Sequence, residues 1–580
     1  MERRMILAIA LSALVLIFVP LLMERLGLID KPKPQTPPDR RGASAPVAPA
    51  DSARPGPAAA DSSPTGRGLA SLFKEETPAG PAAAPALASV VAAPARRVLV
   101  TNDLYEAEFD TRGARLVGLR LKNYKAADKG PVRLDGEPTV WLDLGEPEAP
   151  GLLTAAVYDV SESTDAQGQI RRLRFDLADT SGVRITQTYT FDPKTYLIDL
   201  QVRMDGLLRR GVTDYHLGLR TWPLASERNI QEDLNNLQAV SLVGKDIKRH
   251  RYNDLRKGEK REDVAVQWTA VRSKYFTVAA IPEQATTKSL RAFVPPDGIV
   301  PPAGTPPAIA SMVASQVATA LVLPVPPDGM THHLRIYAGP NDYWMLEKVG
   351  YRLQDVVDLG WRWILPFSRA ILKVLVFFHQ FIVNYGLVIL VLSLLVKVLF
   401  HPLTASSLRS MRAMQRIQPE VEKLRKRHEK DPQKLNQAVF ALYKENKISP
   451  LGGCLPMLIQ MPVMFALYQV FLHAIELRQS PFLLWIDDLS APDVLFQVAG
   501  FPIRILPVIM FGSSLLQQKM TPTDPRQVTT MYIMNVVMLV LFYNLPSGLV
   551  LYWTVTNLLT ALQQYLVTHG ESSTPAPATT

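Results

Sequence analysis

The sequence predicts a polytopic α-helical membrane protein with six transmembrane helices, both termini in the cytoplasm, a large all-β domain outside and a cytoplasmic helical hairpin inside. Three observations predict this class. Apolar segments that approach the roughly 20 residues of a bilayer-spanning helix cluster at 6–23 and again from about 360 to 567. A long stretch between them alternates as β-strands do. Basic residues are concentrated in one loop, which indicates its side of the membrane.

The N-terminal region is predicted to be a membrane anchor at 1–29, followed by a flexible linker at 30–96. Arg3 and Arg4 precede an apolar run over 5–23, and no small-residue cleavage site follows it, so the helix is expected to remain uncleaved. The two arginines hold its start in the cytoplasm. The linker is rich in Pro, Ala, Ser and Gly, a composition that buries too little apolar surface to fold.

Residues 97–345 are predicted to form an antiparallel β-sandwich. Turn residues separate short alternating segments, which include 98–109, 115–121, 185–191 and 196–202. No acid–base pair stands out among the scattered charges, and His332 and His333 fit a surface strand better than a metal site. The single cysteine, Cys454, excludes an internal disulfide and a cysteine-cluster metal site. Phosphate-binding glycine motifs are also absent from the sequence, so no cofactor is expected.

The remaining chain is predicted to alternate between membrane and cytoplasm. Residues 346–380 fit an amphipathic interfacial helix, because Trp361 and Trp363 suit the headgroup level. Five spans follow. The first is 381–401, and the others lie within 451–567, at about 453–473, 502–518, 531–545 and 548–567. A disordered cytoplasmic tail is expected at 568–580.

The loop 402–450 carries eleven basic and five acidic residues, which places it in the cytoplasm. The β domain therefore lies outside, which is the periplasm in a Gram-negative cell. The loop has a helical pattern broken at Asp431-Pro432, and two antiparallel helices are expected to form a hairpin. The sequence leaves three roles open for this charge. It could form a solvated surface, bind anionic lipid headgroups or bind the phosphates of ribosomal RNA. The basic residues expected to act there are Arg409, Arg412, Arg416, Lys423, Arg425, Lys426 and Arg427.

Lys397 is the most informative single residue, because it is a cation near the end of the apolar run 381–400. A lysine inside a span costs about 2.5–3.5 kcal/mol on insertion scales, so it usually faces a bundle interior or a wet cavity. Ser393 lies one turn away on the same face. The alternative is that Lys397 extends to a nearby interface, since the helix is expected to end at His401-Pro402.

Other polar residues in the predicted spans could join Lys397 in one wet pocket. The last span has Trp553, Asn557, Thr560 and Gln564 on one face, and the third span has Ser513, Ser514, Gln517 and Gln518. Gln460 lies in the second span. The alternative is that each group only joins neighbouring helices, at about 0.6 kcal/mol per contact.

Several motifs together resemble the YidC/Oxa/Alb family of membrane protein insertases. The most specific run is Ile448-Ser-Pro-Leu-Gly-Gly-Cys-Leu-Pro-Met-Leu-Ile-Gln-Met-Pro462, in which Ser449 stands where asparagine is common. Further matches are Glu476-Leu-Arg-Gln479, Pro481-Phe-Leu-Leu-Trp-Ile-Asp-Asp-Leu-Ser490 and Pro546-Ser-Gly-Leu-Val-Leu-Tyr552. The resemblance is strongest over 360–567, and the β domain agrees with it in position and class.

The resemblance implies an insertase and chaperone of the inner membrane, with a periplasmic β-supersandwich and a hydrophilic groove that attracts acidic substrate tails. Lys397 resembles the basic groove residue, although the family commonly has an arginine there, whose paired donors a lysine lacks. The groove residues implied are Lys397, Ser393, Gln460, Met461, Trp553, Tyr552 and Asn557. The implied partners are nascent membrane proteins, the Sec translocon, the ribosome, the signal recognition particle receptor and membrane lipids.

Two other functional classes stay open at this point. An intramembrane protease could use Ser393 as its nucleophile and Lys397 as its base, since a desolvated lysine can activate a serine. No nucleophile turn surrounds Ser393, however. A solute transporter would be expected to contain inverted repeats, and five unequal spans show none. The function that the resemblance implies is therefore favoured over both: an insertase, which performs no covalent chemistry and is not expected to be an enzyme.

Overall fold

The computed structural model describes residues 94–135, 137–144, 151–221, 226–227, 230–283, 285–295, 316–429, 431–446, 455–498, 501–520 and 528–571. The predicted N-terminal anchor at 1–29 lies outside the described residues. So do residues 30–93 of the predicted linker, Cys454, and residues 572–580 of the predicted tail.

The β domain consists of two sheets, each with nine strands among the described residues, and all pairings are antiparallel. The first sheet contains β1 (Arg97–Thr101), β2 (Tyr105–Asp110), β3 (Arg115–Lys125), β4 (Pro131–Arg133), β5 (Val140–Asp143), β10 (Asp214–Thr221), β13 (Lys260–Glu262), β16 (Ser289–Phe293) and β17 (Val317–Pro324). The second contains β6 (Asp159–Thr164), β7 (Ile170–Ala178), β8 (Arg184–Phe191), β9 (Leu197–Asp205), β11 (Gln238–Val243), β12 (Asp246–Arg251), β14 (Val266–Arg272), β15 (Phe276–Pro282) and β18 (Thr331–Pro340).

The strand order shows how consecutive strands assemble. In the first sheet it is β1-β2-β3-β5-β10-β17-β16-β13, with β4 beside β3, and in the second it is β12-β11-β14-β15-β18-β9-β8-β7-β6. Short helices connect some of the strands, namely α1 (Leu152–Ala155), α2 (Ile230–Asn236) and α3 (Tyr252–Leu255). The predicted antiparallel β-sandwich is confirmed.

Aromatic side chains fill the space between the sheets. Phe109 from β2 lies 4.8 Å, centroid to centroid, from Tyr189 of β8 and 6.1 Å from Phe175 of β7. Tyr189 also donates a hydrogen bond to the backbone carbonyl of Ala114 at 3.1 Å. Strands β8 and β9 alternate between buried and more exposed residues, as the sequence predicted, because one face of each packs on this core.

The α-helical region follows the last strand. It contains α4 (Tyr343–Val349), α5 (Leu365–His379), α6 (Tyr385–Leu399), α7 (His401–Arg416), α8 (Gln418–Arg427), α9 (Pro432–Glu445), α10 (Leu455–His473), α11 (Leu506–Met520), α12 (Val528–Phe542) and α13 (Ser547–Glu571). None of the described helices alone is long and apolar enough to cross a membrane. The pair α6 and α7, bent by 58° at their junction, has sufficient length and hydropathy when taken together.

The described helices overlap each of the five stretches predicted as spans, with α6, α10, α11, α12 and α13 in chain order. The first and the third begin four residues later than predicted, at Tyr385 and Leu506. A short hairpin of β19 (Phe496–Val498) and β20 (Phe501–Ile503) precedes the third. Asn384 caps α6 by accepting a hydrogen bond from the backbone N–H of Leu387 at 3.2 Å, which explains why that helix begins at Tyr385.

The basic loop contains three helices, α7, α8 and α9, where two were predicted. Proline accounts for the breaks, because each helix has a proline in its first turn, where the missing N–H costs nothing. Pro402 also has no N–H to continue the hydrogen bonding of α6 to the carbonyl four residues earlier, which fits the break between α6 and α7. Asp431 caps α9 at the predicted break by accepting a hydrogen bond from the backbone N–H of Lys434.

Candidate functional site

Lys397 lies in the last turn of α6 and faces α13. Its Nζ donates a hydrogen bond to Thr560 Oγ1 at 2.8 Å, and Thr560 in turn donates to the carbonyl of Thr556 in its own helix at 2.6 Å. The side chain is half-buried. Within the part of the chain that the structure describes, no carboxylate forms an ion pair with it. The ammonium therefore has a hydroxyl partner but no described counter-charge.

Asn557 connects the same face of α13 to a third helix. It lies about one turn before Thr560, and its Nδ2 donates to Ser514 Oγ at 2.7 Å and to Ser513 Oγ at 3.2 Å on α11. We call Lys397, Thr560, Asn557, Ser513 and Ser514 the inner polar cluster. It brings polar groups of α6, α11 and α13 to one region of the helical part.

Ser393 is buried one turn before Lys397. Its Oγ donates to the carbonyl of Ile389 in the same helix at 2.8 Å, a bond that satisfies a hydroxyl within a helix. The structure thus gives Ser393 a backbone partner and Lys397 a partner on another helix.

The aromatic residues predicted for the groove face different ways. Trp553 packs edge-on against Phe542 of α12, with ring centroids 4.9 Å apart. Tyr552 is fully buried, and its ring lies 6.2 Å from that of Phe471 in α10. Tyr552 therefore belongs to the packed interior between α13 and α10, whereas Trp553 lies one turn from Asn557 on the polar face.

Gln460 and Met461 lie on α10, apart from the polar bonds described above. Gln460 Nε2 contacts Met464 Sδ in its own helix at 3.9 Å, and Met461 is 39% exposed. No hydrogen bond among the described residues joins either side chain to the inner polar cluster. Of the predicted groove residues, the structure therefore places Lys397 and Asn557 in the inner polar cluster. Among the described residues, no hydrogen bond joins Ser393, Trp553, Gln460 or Met461 to it.

Thr560, Ser513 and Ser514 belong to the cluster; the sequence indicated them as polar residues that could join Lys397, although the groove set implied by the family resemblance omits them. The available signal was spacing, since Thr560 follows Asn557 by three residues and so shares its helix face. Sequence spacing cannot show which neighbouring helix a face meets, so it did not indicate that the two serines of α11 bond to Asn557.

The predicted basic residues lie on α7 and α8, which continue from the cluster end of α6. Arg409, Arg416, Lys423, Lys426 and Arg427 are exposed, while Arg412 and Arg425 are half-buried. Val421 is buried within the same region and α8 packs against α9, so a small apolar contact supports the charged hairpin.

Two family models match nearly all of the described chain. The model for the YidC periplasmic domain matches residues 97–367, and the model for the 60Kd inner membrane protein matches residues 377–574. The membrane protein insertase YidC of Syntrophus aciditrophicus is 34% identical over 493 residues, which cover 81% of this chain and 85% of that protein. The chain belongs to the YidC family of membrane protein insertases.

Another family member, the membrane protein insertase YidC of Geobacter metallireducens, is 33% identical over 500 residues, covering 83% of this chain and 88% of that protein. A crystal structure of an active YidC insertase with its first transmembrane domain resolved is 18% identical, with a TM-score of 0.35 and coverage of 81% and 92%. A galactose mutarotase-like protein from Lactobacillus casei matches 42% of this chain and 100% of its own, at 12% identity and a TM-score of 0.29.

Family membership confirms the resemblance stated from the motifs. The β domain is the family's periplasmic domain, and the helical region is its inner-membrane part. The relatives are named as insertases, in agreement with the prediction that the chain is not an enzyme.

Proposed function

We propose that this chain inserts membrane proteins into the inner membrane and assists their folding, through a hydrophilic groove that contains the inner polar cluster. The observation that best supports such a groove is the half-buried Lys397 ammonium. It bonds to Thr560 and has no carboxylate partner among the described residues. A positive charge in this environment attracts an acidic residue more strongly than it would in water, because the local dielectric constant is lower.

The inner polar cluster supports a physical role without bond chemistry. An acidic tail of a substrate would approach Lys397, while Asn557, Ser513, Ser514 and Thr560 offer hydrogen-bond partners to its backbone. Polar backbone in the bilayer needs such partners, because lipid supplies none. The apolar part of the substrate could then leave sideways into lipid. Of the other predicted groove residues, Ser393 and Trp553 would line this path. Gln460 and Met461 on α10, with Tyr552 of α13 packed beside that helix, would shape the adjacent wall.

We also propose six spans with both termini in the cytoplasm, and the domain boundaries given in the sequence analysis. Two observations support this orientation. The basic helices α7 and α8 follow the Lys397 end of α6, whereas Asn384 at its other end contacts a loop that reaches the periplasmic domain. Lys397 is twelve residues from Tyr385, or about 18 Å along the axis. The groove would therefore lie toward the cytoplasm.

The exposed basic residues on α7 and α8 support a role in receiving substrates. Nascent membrane proteins are the proposed clients. A surface of this charge suits phosphate-rich partners, so the ribosome and anionic lipid headgroups are proposed contacts. The Sec translocon and the signal recognition particle receptor are proposed as further partners on the strength of the family alone.

Insertion into liposomes that contain only this protein tests the proposal. The substrate is a short membrane protein with an acidic tail, and the variants are Lys397→Arg, Lys397→Ala and Lys397→Glu. We expect Arg to retain insertion, Ala to reduce it several-fold and Glu to reduce it most. A matched substrate with a neutral tail should depend much less on residue 397. Equal insertion by the Lys and Glu proteins would contradict the charge-attraction mechanism, and no insertion by any of them would contradict autonomous activity.

A further inference from the structure

Residues 475–493, which connect α10 to the β19–β20 hairpin, form a compact segment that we call the outer cap. Its own fold depends on Asp488, whose Oδ1 accepts hydrogen bonds from Gln479 N at 3.0 Å and from Ser490 N and Oγ at 2.8 Å each. The Asp493 carboxylate accepts a bond from Trp485 Nε1 at 3.0 Å. The cap is therefore a defined structure and not an open loop.

The outer cap is bonded to the first turns of α11 and α13. Asp493 Oδ2 accepts from the backbone N–H groups of Ile505 and Leu506 at 3.1 and 2.9 Å, where α11 begins. Ser547 Oγ donates to the carbonyl of Asp488 at 2.7 Å, and Gly548 N donates to that of Leu489 at 2.9 Å, where α13 begins. These two helices supply Ser513, Ser514, Asn557 and Thr560 to the inner polar cluster.

The cap also meets the start of α6, the helix that carries Lys397. Asn384 Nδ2 donates to the carbonyl of Phe482 at 3.3 Å. The Phe482 ring occupies the space beside Gly386, where a Cβ atom would lie 2.0 Å from the ring. One segment thus holds the outer ends of all three helices that form the inner polar cluster.

Arg478 joins this cap to the periplasmic β domain. Its Nε donates to Glu227 Oε1 at 2.6 Å, and one terminal nitrogen donates to the backbone carbonyls of Ser226, at 3.0 Å, and Lys125. Its side chain is 3% exposed and that of Glu227 is 10% exposed. The guanidinium also lies 5.2 Å from the ring centroid of Phe276 on β15. A buried arginine with this many partners is sensitive to the loss of any of them.

We propose that Arg478 is a positioning residue that couples the β domain to the outer cap and thereby keeps the periplasmic end of the groove closed. This inference rests on the proposed function, because the groove belongs to it. The periplasmic domain would then act on insertion mechanically, by fixing where α6, α11 and α13 begin, and not by binding a substrate itself.

Labelling of a buried cysteine from the periplasmic side tests the coupling. In a Cys454→Ser background, Ser513→Cys places a thiol of nearly the same size in the inner polar cluster. Intact spheroplasts are treated with a membrane-impermeant maleimide, and the labelling rate is followed. We expect Arg478→Ala and the isosteric Glu227→Gln to raise the rate at least about fivefold. Arg478→Lys should fall between these and the parent, because lysine keeps the charge but loses the paired planar donors.

Two controls keep the outcome interpretable. Arg335→Ala removes an arginine from a partly exposed ion pair with Asp199 and Glu283 on the β domain and should leave the rate unchanged. Lys397→Ala should impair insertion without changing the labelling rate. The insertion assay therefore tests the role of the groove charge, and the labelling assay tests the coupling separately. Unchanged labelling in both Arg478→Ala and Glu227→Gln would overturn the proposal. A higher labelling rate in both, with an intermediate rate in Arg478→Lys, would support it.

Discussion

The two ends of the helical region differ in how their buried cations are paired. At the outer end, Arg478 contacts Glu227 at 2.6 Å, and nearby Lys274 contacts Glu232 at 2.8 Å, with both cationic side chains 3% exposed. At the inner end, Lys397 is only half-buried and bonds to the hydroxyl of Thr560. Each outer cation has a carboxylate partner, and the inner one has none within the described chain.

This difference separates structural charge from charge that is available to a ligand. Burial alone would lower the pKa of Lys274, but Tyr275 and Glu232 raise it overall, so that cation is strongly held by its surroundings. A paired charge has little left to offer a further partner. A lone cation at an effective dielectric constant of 20 still offers about 4 kcal/mol to a carboxylate at 4 Å. The inner end is therefore the one suited to attract an acidic segment.

Removing the outer cation should have the largest effect on stability. Arg478→Met leaves Glu227 buried without its partner, and the loss of one member of a buried pair typically costs about 3–5 kcal/mol. The measurement is the free energy of unfolding by chemical denaturation in detergent micelles.

The double variant Arg478→Met, Glu227→Leu is the matched control. It removes both charges, so it should recover much of the loss, as apolar replacements of buried pairs often do. If the single and double variants were equally unstable, the ion pair would not be the source of the effect.

The important residues of the inner end could be recognised from the sequence more readily than those of the outer end. A lysine within an apolar run is conspicuous, and helical spacing aligns Asn557 with Thr560, so these residues could be recognised from the sequence. Arg478 was visible only as part of a family motif. Its partner Glu227 is 251 positions away, in a segment between strands, and no local pattern indicates a pair that tertiary packing alone creates.

The fold shows the same division between local and long-range information. Alternation predicted strands such as β8 and β9, because each presents one face to the core. The order of strands in the two sheets depends on packing that periodicity does not specify. The break at Ile417, which divides the basic loop into three helices, depends on the geometry of a proline in the first turn of α8.

Glu476 in the outer cap should make stability depend on pH. Burial raises the pKa of its carboxyl to about 7 from an ordinary 4.5, and the nearby Asp342 adds to the shift. The folded state thus keeps a proton that the unfolded chain releases, so stability should fall as pH rises from about 4.5 to about 7. Glu476→Gln should therefore stabilise the protein by about 1–3 kcal/mol at pH 8 and by little at pH 5.

Thermal unfolding at the two pH values measures this effect. Glu347→Gln, at an exposed position of α4, is the control and should leave the difference between pH 5 and pH 8 as it is in the parent. A Glu476→Gln protein with the same pH dependence as the parent would show that this carboxyl does not titrate in the range.

Giving Lys397 a carboxylate partner should make the inner end resemble the outer end. Thr560→Glu places a carboxylate at the residue that now accepts the 2.8 Å hydrogen bond from Lys397. The new pair would satisfy the ammonium, so insertion of an acidic-tailed substrate should fall about tenfold, equivalent to about 1.4 kcal/mol. Thr560→Gln has the same size without the charge and should retain most activity. Equal loss in both variants would attribute the effect to size.

The smallest change is expected at Ser393. Its hydroxyl bonds to the carbonyl of Ile389 within α6, and Lys397 bonds to Thr560, so the two side chains do not form the serine–base pair that a protease needs. Ser393→Ala removes one polar contact inside a helix bundle and should cost below about 1 kcal/mol. In the liposome insertion assay, the rate should therefore stay within a few-fold of the parent. Complete loss of activity, with normal folding, would favour nucleophilic chemistry at Ser393 and would contradict a groove that works by charge and hydrogen bonding alone.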